Sequence, residues 1–243
     1  MIQNLTGILL RKREYGEKDL MLTVLSCTGE RLDLVIKGAN IPNSRRRAHL
    51  ELMNLIEGTT YQSTHHLYLQ NVQVKNSFTH LKENVSLVFR LAIFLEILEH
   101  ALQSKDPQPE IYALLLETLQ NLNANPNPFL PEAALIKLAH LLGFLPSFKQ
   151  CNLCHEALED IAHWDQEAGT LSCTGCRKTH HRPLELKYRK AFEFFRHASA
   201  EQCSKVQLQA HEAETLREWI PSFFSLHLDR PLKTLQVQVS SIY

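Results

Sequence analysis

The spacing of apolar and polar positions along this chain changes period near residue 80. Before that point, Leu32, Leu34 and Ile36 alternate with Arg31, Asp33, Val35 and Lys37, the period-2 pattern of a half-buried β-strand. Leu20 to Leu25 is a nearly continuous apolar run, which predicts a strand buried on both faces, and Thr28-Gly29-Glu30 between the two reads as a hairpin turn. Leu67 and Leu69 share one phase whereas Val72 and Val74 share the other. A one-residue slip at Asn71, of the kind a β-bulge produces, accounts for the change. With Gly7 to Leu10 and Leu52 to Tyr61, about five short, evenly spaced strands result, and they favour a small closed barrel over a sandwich.

From residue 81 the period is helical. Leu87, Leu91, Phe94, Leu95, Leu98 and Leu102 recur at 3–4-residue spacing, as do Ile111, Leu114, Leu115, Leu119 and Leu122. Asp106-Pro107 is the expected start of the second helix, and Pro131-Glu132 opens a third that runs over Leu135 to Leu142 and closes at Gly143. Residues 121–128 form an Asn- and Pro-rich loop. Helical patterning returns at Leu184 to His197, with Glu185 and Arg189 spaced for a surface ion pair, and again from His211 to Ile220. Leu235, Val237 and Val239 alternate with glutamines and suggest a short terminal strand. The expected class is α+β: a barrel domain over residues 1–80, then a helical domain over 81–243 that contains a cysteine-bearing insert at 150–182. Helices on both sides of the insert are expected to share a core.

Composition narrows the picture. The chain has 243 residues, 44% hydrophobic and 21% charged, as in an ordinary globular protein, which excludes a disordered or fibrous chain. Met1-Ile2-Gln3-Asn4 lacks the basic start and apolar run of a signal peptide. The richest apolar stretch, Val85 to Leu102, is interrupted by Arg90, Glu96 and Glu99, too polar for a membrane span. A cytoplasmic location is expected.

Four of the six cysteines form two close pairs, Cys151-Asn-Leu-Cys154 and Cys173-Thr-Gly-Cys176; Cys27 and Cys203 stand alone. In a reducing compartment such pairs bind metal more often than they form disulfides. Two CxxC knuckles supply four thiolates, the set a tetrahedral structural zinc takes, and Ile161, His163, Trp164 and Leu171 can form a small hairpin between them. Four sulfurs fill the shell and leave no position for water or substrate, so one structural Zn2+ is expected on Cys151, Cys154, Cys173 and Cys176. His155, His163, His180 and His181 are read as surface or supporting residues.

Formal net charge is zero, but its distribution is uneven. Residues 1–49 carry nine Lys and Arg against five Asp and Glu, whereas residues 151–182 carry three against five. A phosphate-binding face is therefore expected on the barrel, built from Arg11, Lys12, Arg13, Lys18, Arg31, Lys37, Arg45, Arg46 and Arg47. Only Tyr15 lies among these cations in sequence, which points to backbone contact with little reading of bases. Asp19 and Glu17 are read as partners of nearby cations. There is no HExxH, nucleophile elbow or P-loop, so no catalytic residue is assigned and a non-enzymatic binding role is expected. The alternative is a zinc-stabilised interaction adapter with only incidental DNA contact.

The stretch Arg13-Glu-Tyr-Gly-Glu-Lys-Asp-Leu-Met-Leu-Thr-Val-Leu-Ser, then Gly29-Glu-Arg-Leu-Asp-Leu-Val-Ile-Lys-Gly-Ala and Pro42-Asn-Ser-Arg, resembles the opening of the RecO family of bacterial recombination mediators. Leu141-Leu-Gly-Phe-Leu-Pro followed by the first cysteine pair, and the closing part from Leu216-Arg217, are similar as well. The resemblance implies an N-terminal OB-fold and a helical C-terminal domain with a zinc-binding insert. It also implies binding to single- and double-stranded DNA, annealing of complementary strands, and work with RecR and in some cases RecF. Together these load RecA onto strands coated by single-strand-binding protein, in DNA repair. In residues 38–44 this chain has Asn40 and Asn43 where the family carries more basic residues, with Arg45 to Arg47 alongside.

Overall fold

The computed structural model describes residues 2–41, 44, 46–102, 106–228 and 230–234. Arg45, Asn43 and the expected strand at 235–239 lie outside them. Five strands, β1 (Ile2–Tyr15), β2 (Asp19–Ser26), β3 (Arg31–Ile36), β4 (Leu55–Gln62) and β5 (Leu67–Asn76), close into an OB-like barrel in the order β1-β2-β3-β5-β4. All pairings are antiparallel except β3 with β5, where Leu34 faces Leu67 and Val35 faces Tyr68. Leu5, Leu9, Leu22, Val24, Leu34, Ile36, Ile56 and Leu69 fill the interior. Every residue of β2 after Asp19 is buried, as its unbroken apolar run requires.

Three register shifts shape the barrel, one of them at Leu55/Ile56, where β4 and β5 begin to pair. Between β4 and β5, Thr59 pairs with Asn71 but Thr60 pairs with Leu69, so Gln70 is the extra residue, one position from the expected slip. The third shift, at Leu9/Arg11, lets β1 run on to Tyr15, five residues beyond the strand that alternation marks. At Gly58 a Cβ would stand 2.1 Å from the Asn71 carbonyl oxygen; only glycine lets β4 and β5 approach this closely. Gly29 sits at φ +84° in the β2–β3 turn, a conformation glycine adopts without penalty.

The described residues divide into two compact units. The first takes in the chain up to Pro126 together with 232–234, the second spans Asn127–Pro231. In the first, α1 (Thr79–Lys82), α2 (Val85–Ala101) and α3 (Pro109–Ala124) follow the barrel. Asn84 caps α2 by accepting the Leu87 N–H at 3.1 Å, and α3 starts at Pro109, two residues later than Pro107, with proline in its first turn.

In the second unit, α4 (Leu130–Leu141) precedes the insert, and α5 (Leu186–His197), α6 (Ala200–Ser204) and α7 (Ala210–Trp219) follow it. The insert holds a three-stranded sheet, β7-β6-β8, from β6 (Ile161–Asp165), β7 (Thr170–Ser172) and β8 (Arg182–Glu185). Helices from both sides of the insert share a core, with Phe129 on Phe195 and Phe148 on Phe192 at 5.7 Å. Trp164 of β6 meets Phe223 edge-on at 5.5 Å, so the insert contributes to that core. The shared core involves α4; α2 and α3 belong to the first unit. Among the described residues no helix is long and apolar enough to cross a membrane.

A candidate nucleic-acid interface and a four-cysteine centre

The first knuckle is a tight turn. The Cys151 N–H donates to the Glu156 carbonyl at 2.8 Å, and the His155 N–H to the Cys151 carbonyl at 3.0 Å. His155 adopts φ +63°. In the second knuckle the Cys176 N–H donates to the Cys173 carbonyl at 3.1 Å. Its Gly175 is not conformationally required: a Cβ there would meet nothing nearer than the Cys173 sulfur at 3.9 Å. The two turns bring all four Sγ atoms within 4.8 Å of one another, with Cys154 and Cys173 at 3.7 Å. Tetrahedral ligation with metal–sulfur bonds of about 2.3 Å requires sulfur separations of about 3.8 Å, so the arrangement fits a metal ion.

The thiols are electrostatically unequal. Burial raises the Cys151 pKa, but N–H donors of Cys154, Cys173 and Leu153 outweigh it and hold the thiol down to about 6. Cys176, hydrogen bonded to the Cys173 and Cys154 sulfurs, is pushed up to about 12. Four thiolates this close repel one another, and a bound cation is what allows them to ionise together.

A second cluster, Asp165, His180 and His181, also lies within 4.8 Å. Its chemistry differs. The buried His181 ring accepts the Lys178 N–H at Nδ1, so its proton resides on Nε2, which faces an Asp165 oxygen at 3.1 Å. A metal-ligating imidazole presents the opposite polarity, with Nε2 on the ion and Nδ1 donating. His181 instead links the segment after the second knuckle to β7, through the Lys178 N–H and the Ser172 hydroxyl at Nδ1. Arg189, expected at the surface with Glu185, is buried. It donates to the Phe148 and Glu159 carbonyls and so joins α5 to both ends of the first knuckle's loop. Spacing on a helix shows which residues are neighbours, not which face is covered.

The cations of the first unit are not equivalent. Arg11 on β1 is ion-paired with Glu99 on α2, and Arg31 bridges Asp33 at 3.2 Å and the Leu102 carbonyl. Lys12, Arg13, Lys18, Lys37, Arg46 and Arg47 are exposed and make no ion pair among the described residues. Four of these, Lys18, Lys37, Arg46 and Arg47, lie on segments joined to one another by hydrogen bonds. The Asn40 N–H donates to the Lys18 carbonyl and the Gly38 N–H to Asp19, which docks the loop after β3 onto the β1–β2 turn. Asp19 therefore anchors backbone, where the sequence suggested a partner for side-chain cations. The Arg46 guanidinium donates to the Lys37 carbonyl at 3.1 Å, and Arg47 follows it.

Beside these cations stands an aromatic cluster. Tyr61 and Tyr68, facing each other across β4 and β5, stack at 5.0 Å with a 14° angle. The Lys37 ammonium lies 4.9 Å from the Tyr68 ring centre. His66 meets Tyr68 edge-on, and the Tyr15 hydroxyl is 2.9 Å from the His66 Nε2. A groove of about 400 Å³ is lined by Lys37, Arg46, Tyr61, Tyr68, Leu69, Gln70 and Asn71. The expectation of sparse aromatics is thus corrected: Tyr15 alone is near the cations in sequence, but three further rings join it in space. A hairpin turn at 63–66, closed by the Ser63 N–H to the His66 carbonyl, pairs Tyr61 with Tyr68 and is the local signal that locates them.

Two family models match the chain: Recombination protein O N terminal over residues 1–78 and Recombination protein O C terminal over residues 89–236. The chain belongs to the RecO family. It is 24% identical over 240 residues to the DNA repair protein RecO of Bacillus mycoides, covering 96% of this chain and 95% of that protein. It is 27% identical over 183 residues to the DNA repair protein RecO of Syntrophobacter fumaroxidans, covering 74% and 73%. The RecO N-terminal match coincides with the barrel, and the RecO C-terminal match takes in both knuckles.

Proposed function

We propose that this chain is a DNA repair and recombination mediator that binds single- and double-stranded DNA on its barrel, residues 1–80, and anneals complementary strands. With RecR, and in the pathway named for RecF, it helps load RecA onto strands covered by single-strand-binding protein. The observation that carries the reading is the gathering of unpaired cations, Lys18, Lys37, Arg46 and Arg47, on an OB-like barrel of a RecO-family chain. Two DNA strands repel through their phosphates; fixed cations neutralise that charge and release condensed counterions, so strands can approach and pair. No covalent step is required. Of the nine cations expected to contact DNA, Arg11 and Arg31 already have carboxylate partners and contribute least.

Zn2+ is the ion we assign to Cys151, Cys154, Cys173 and Cys176. When bound, it crosslinks the two knuckles; the DNA-contacting work falls to side chains of the barrel. The protein acts in the cytoplasm, at the nucleoid. The adapter reading draws support from Leu153 and Ile161, exposed apolar residues on the insert. Charge reversal at Arg45, Arg46 and Arg47 separates the two: annealing of complementary oligonucleotides is abolished if the barrel binds DNA, and annealing that survives reversal favours the adapter.

A further inference from the structure

The cross-strand pair Tyr61–Tyr68 has a plain structural role, since aromatic pairs across a hairpin stabilise it by roughly 0.2–1 kcal/mol. That role does not account for its surroundings. Both rings are only half buried, while Leu69 beside them turns into the barrel core. Lys37 and Arg46 converge on the same groove from a different part of the chain. Gln70, the extra residue of the β-bulge, lines it too; bulges redirect side chains in this way. Asn71 is held to the Thr59 hydroxyl, whereas the Gln70 amide has no hydrogen bond among the described residues. The groove therefore brings together a stacked ring pair with the Lys37 ammonium over Tyr68, a second cation in Arg46 and an uncommitted amide.

We infer that Tyr61 and Tyr68 form a stacking platform for unpaired bases, with Lys37 and Arg46 on the flanking phosphates, so that the barrel selects single strands over duplex. The inference rests on the barrel being the DNA surface and adds what the cations alone do not supply. Base stacking tolerates any sequence because every base has a π-face. A mediator that must hold arbitrary single strands and then release them to a complement needs that tolerance. Paired bases in a duplex hide their faces and gain nothing from the platform.

The test uses the full chain and three fluorescein-labelled DNAs of equal length: a single strand, the same strand with a central abasic run, and the duplex. Tyr68→Leu is expected to weaken binding of the intact single strand about tenfold or more, the range of losing a stacked base, with duplex affinity unchanged. The abasic strand binds wild-type protein as weakly as the intact strand binds Tyr68→Leu. Tyr68→Phe and Tyr68→Trp, which keep a ring and the hairpin pairing, retain full affinity, so loss of folding is distinguished from loss of stacking. Equal binding of intact and abasic strands, or wild-type affinity in Tyr68→Leu, overturns the inference while leaving phosphate binding in place. Absence of binding to all three DNAs overturns the barrel reading and this inference with it.

Discussion

Salt dependence gives the sharpest quantitative handle on the barrel. The perturbation is the double substitution Lys37→Gln/Arg46→Gln, which removes two of the four unpaired cations gathered at the β1–β2 turn and the loop after β3. Each phosphate neutralised on a single strand contributes a slope of about −0.7 to a plot of log affinity against log salt. Four contacts therefore give a slope of about −2.8, and affinity falls about 50-fold between roughly 50 and 200 mM salt. Two contacts halve the slope to about −1.4, and the fall shrinks to about 7-fold. Lys12 and Arg13, also exposed, can only steepen the wild-type value. Neutralising Arg11 or Arg31 leaves the slope nearly unchanged, because Glu99 and Asp33 already hold them. Fluorescence anisotropy of a labelled oligonucleotide across a salt series measures all four proteins. A wild-type slope near zero, or the same slope in the double variant, would show that Lys37 and Arg46 do not contact phosphates.

Other expectations follow from the same geometry. Chelation or Cys151→Ser should abolish one bound zinc per chain and lower the melting temperature, read by metal analysis and calorimetry, while single-strand affinity persists. Zinc should also be released as pH falls, since protons compete for the thiolates. Gly58→Ala should destabilise the protein by about 3 kcal/mol, as overpacking does, because its new methyl would lie 2.1 Å from the Asn71 oxygen; urea unfolding measures this. Burial works against the charge on Glu96, but the Thr234 hydroxyl and the Thr234 and Lys233 N–H groups outweigh it and hold its pKa below the ordinary carboxylate value. That contribution is therefore fully present above the unfolded value of 4.5 and is lost as pH falls through the folded one. Unfolding titrations should show that acid sensitivity reduced in Glu96→Gln.

How much of this was legible in the chain depends on the range of the interaction that fixes each feature. The cysteine knuckles are local turns, and their spacing could be read directly. Strand β2 declared itself because both its faces are buried. The second half of β1 did not: Arg11 to Tyr15 are exposed and are held as strand by the hydrogen-bond ladder to β2, which leaves no trace in hydrophobic alternation. The bulge was visible as a phase change, displaced by one residue. The Tyr61–Tyr68 pair follows from a local hairpin, but its meeting with the cations lay beyond reach of a linear reading, because the parallel β3–β5 pairing, Val35 to Tyr68, is what carries Lys37 to a ring 31 positions away in the sequence. Arg189 was misplaced for a related reason, since the carbonyls that bury it belong to Phe148 and Glu159, far from α5 in sequence.

The central claim is that cations of the barrel bring complementary strands together. Annealing of two complementary labelled oligonucleotides, followed by energy transfer at low salt, tests it most directly. Wild-type protein is expected to speed annealing, and Lys37→Glu/Arg46→Glu, with an unchanged melting temperature, to give the rate seen without protein. A folded charge-reversed variant that anneals strands as fast as wild type would contradict it.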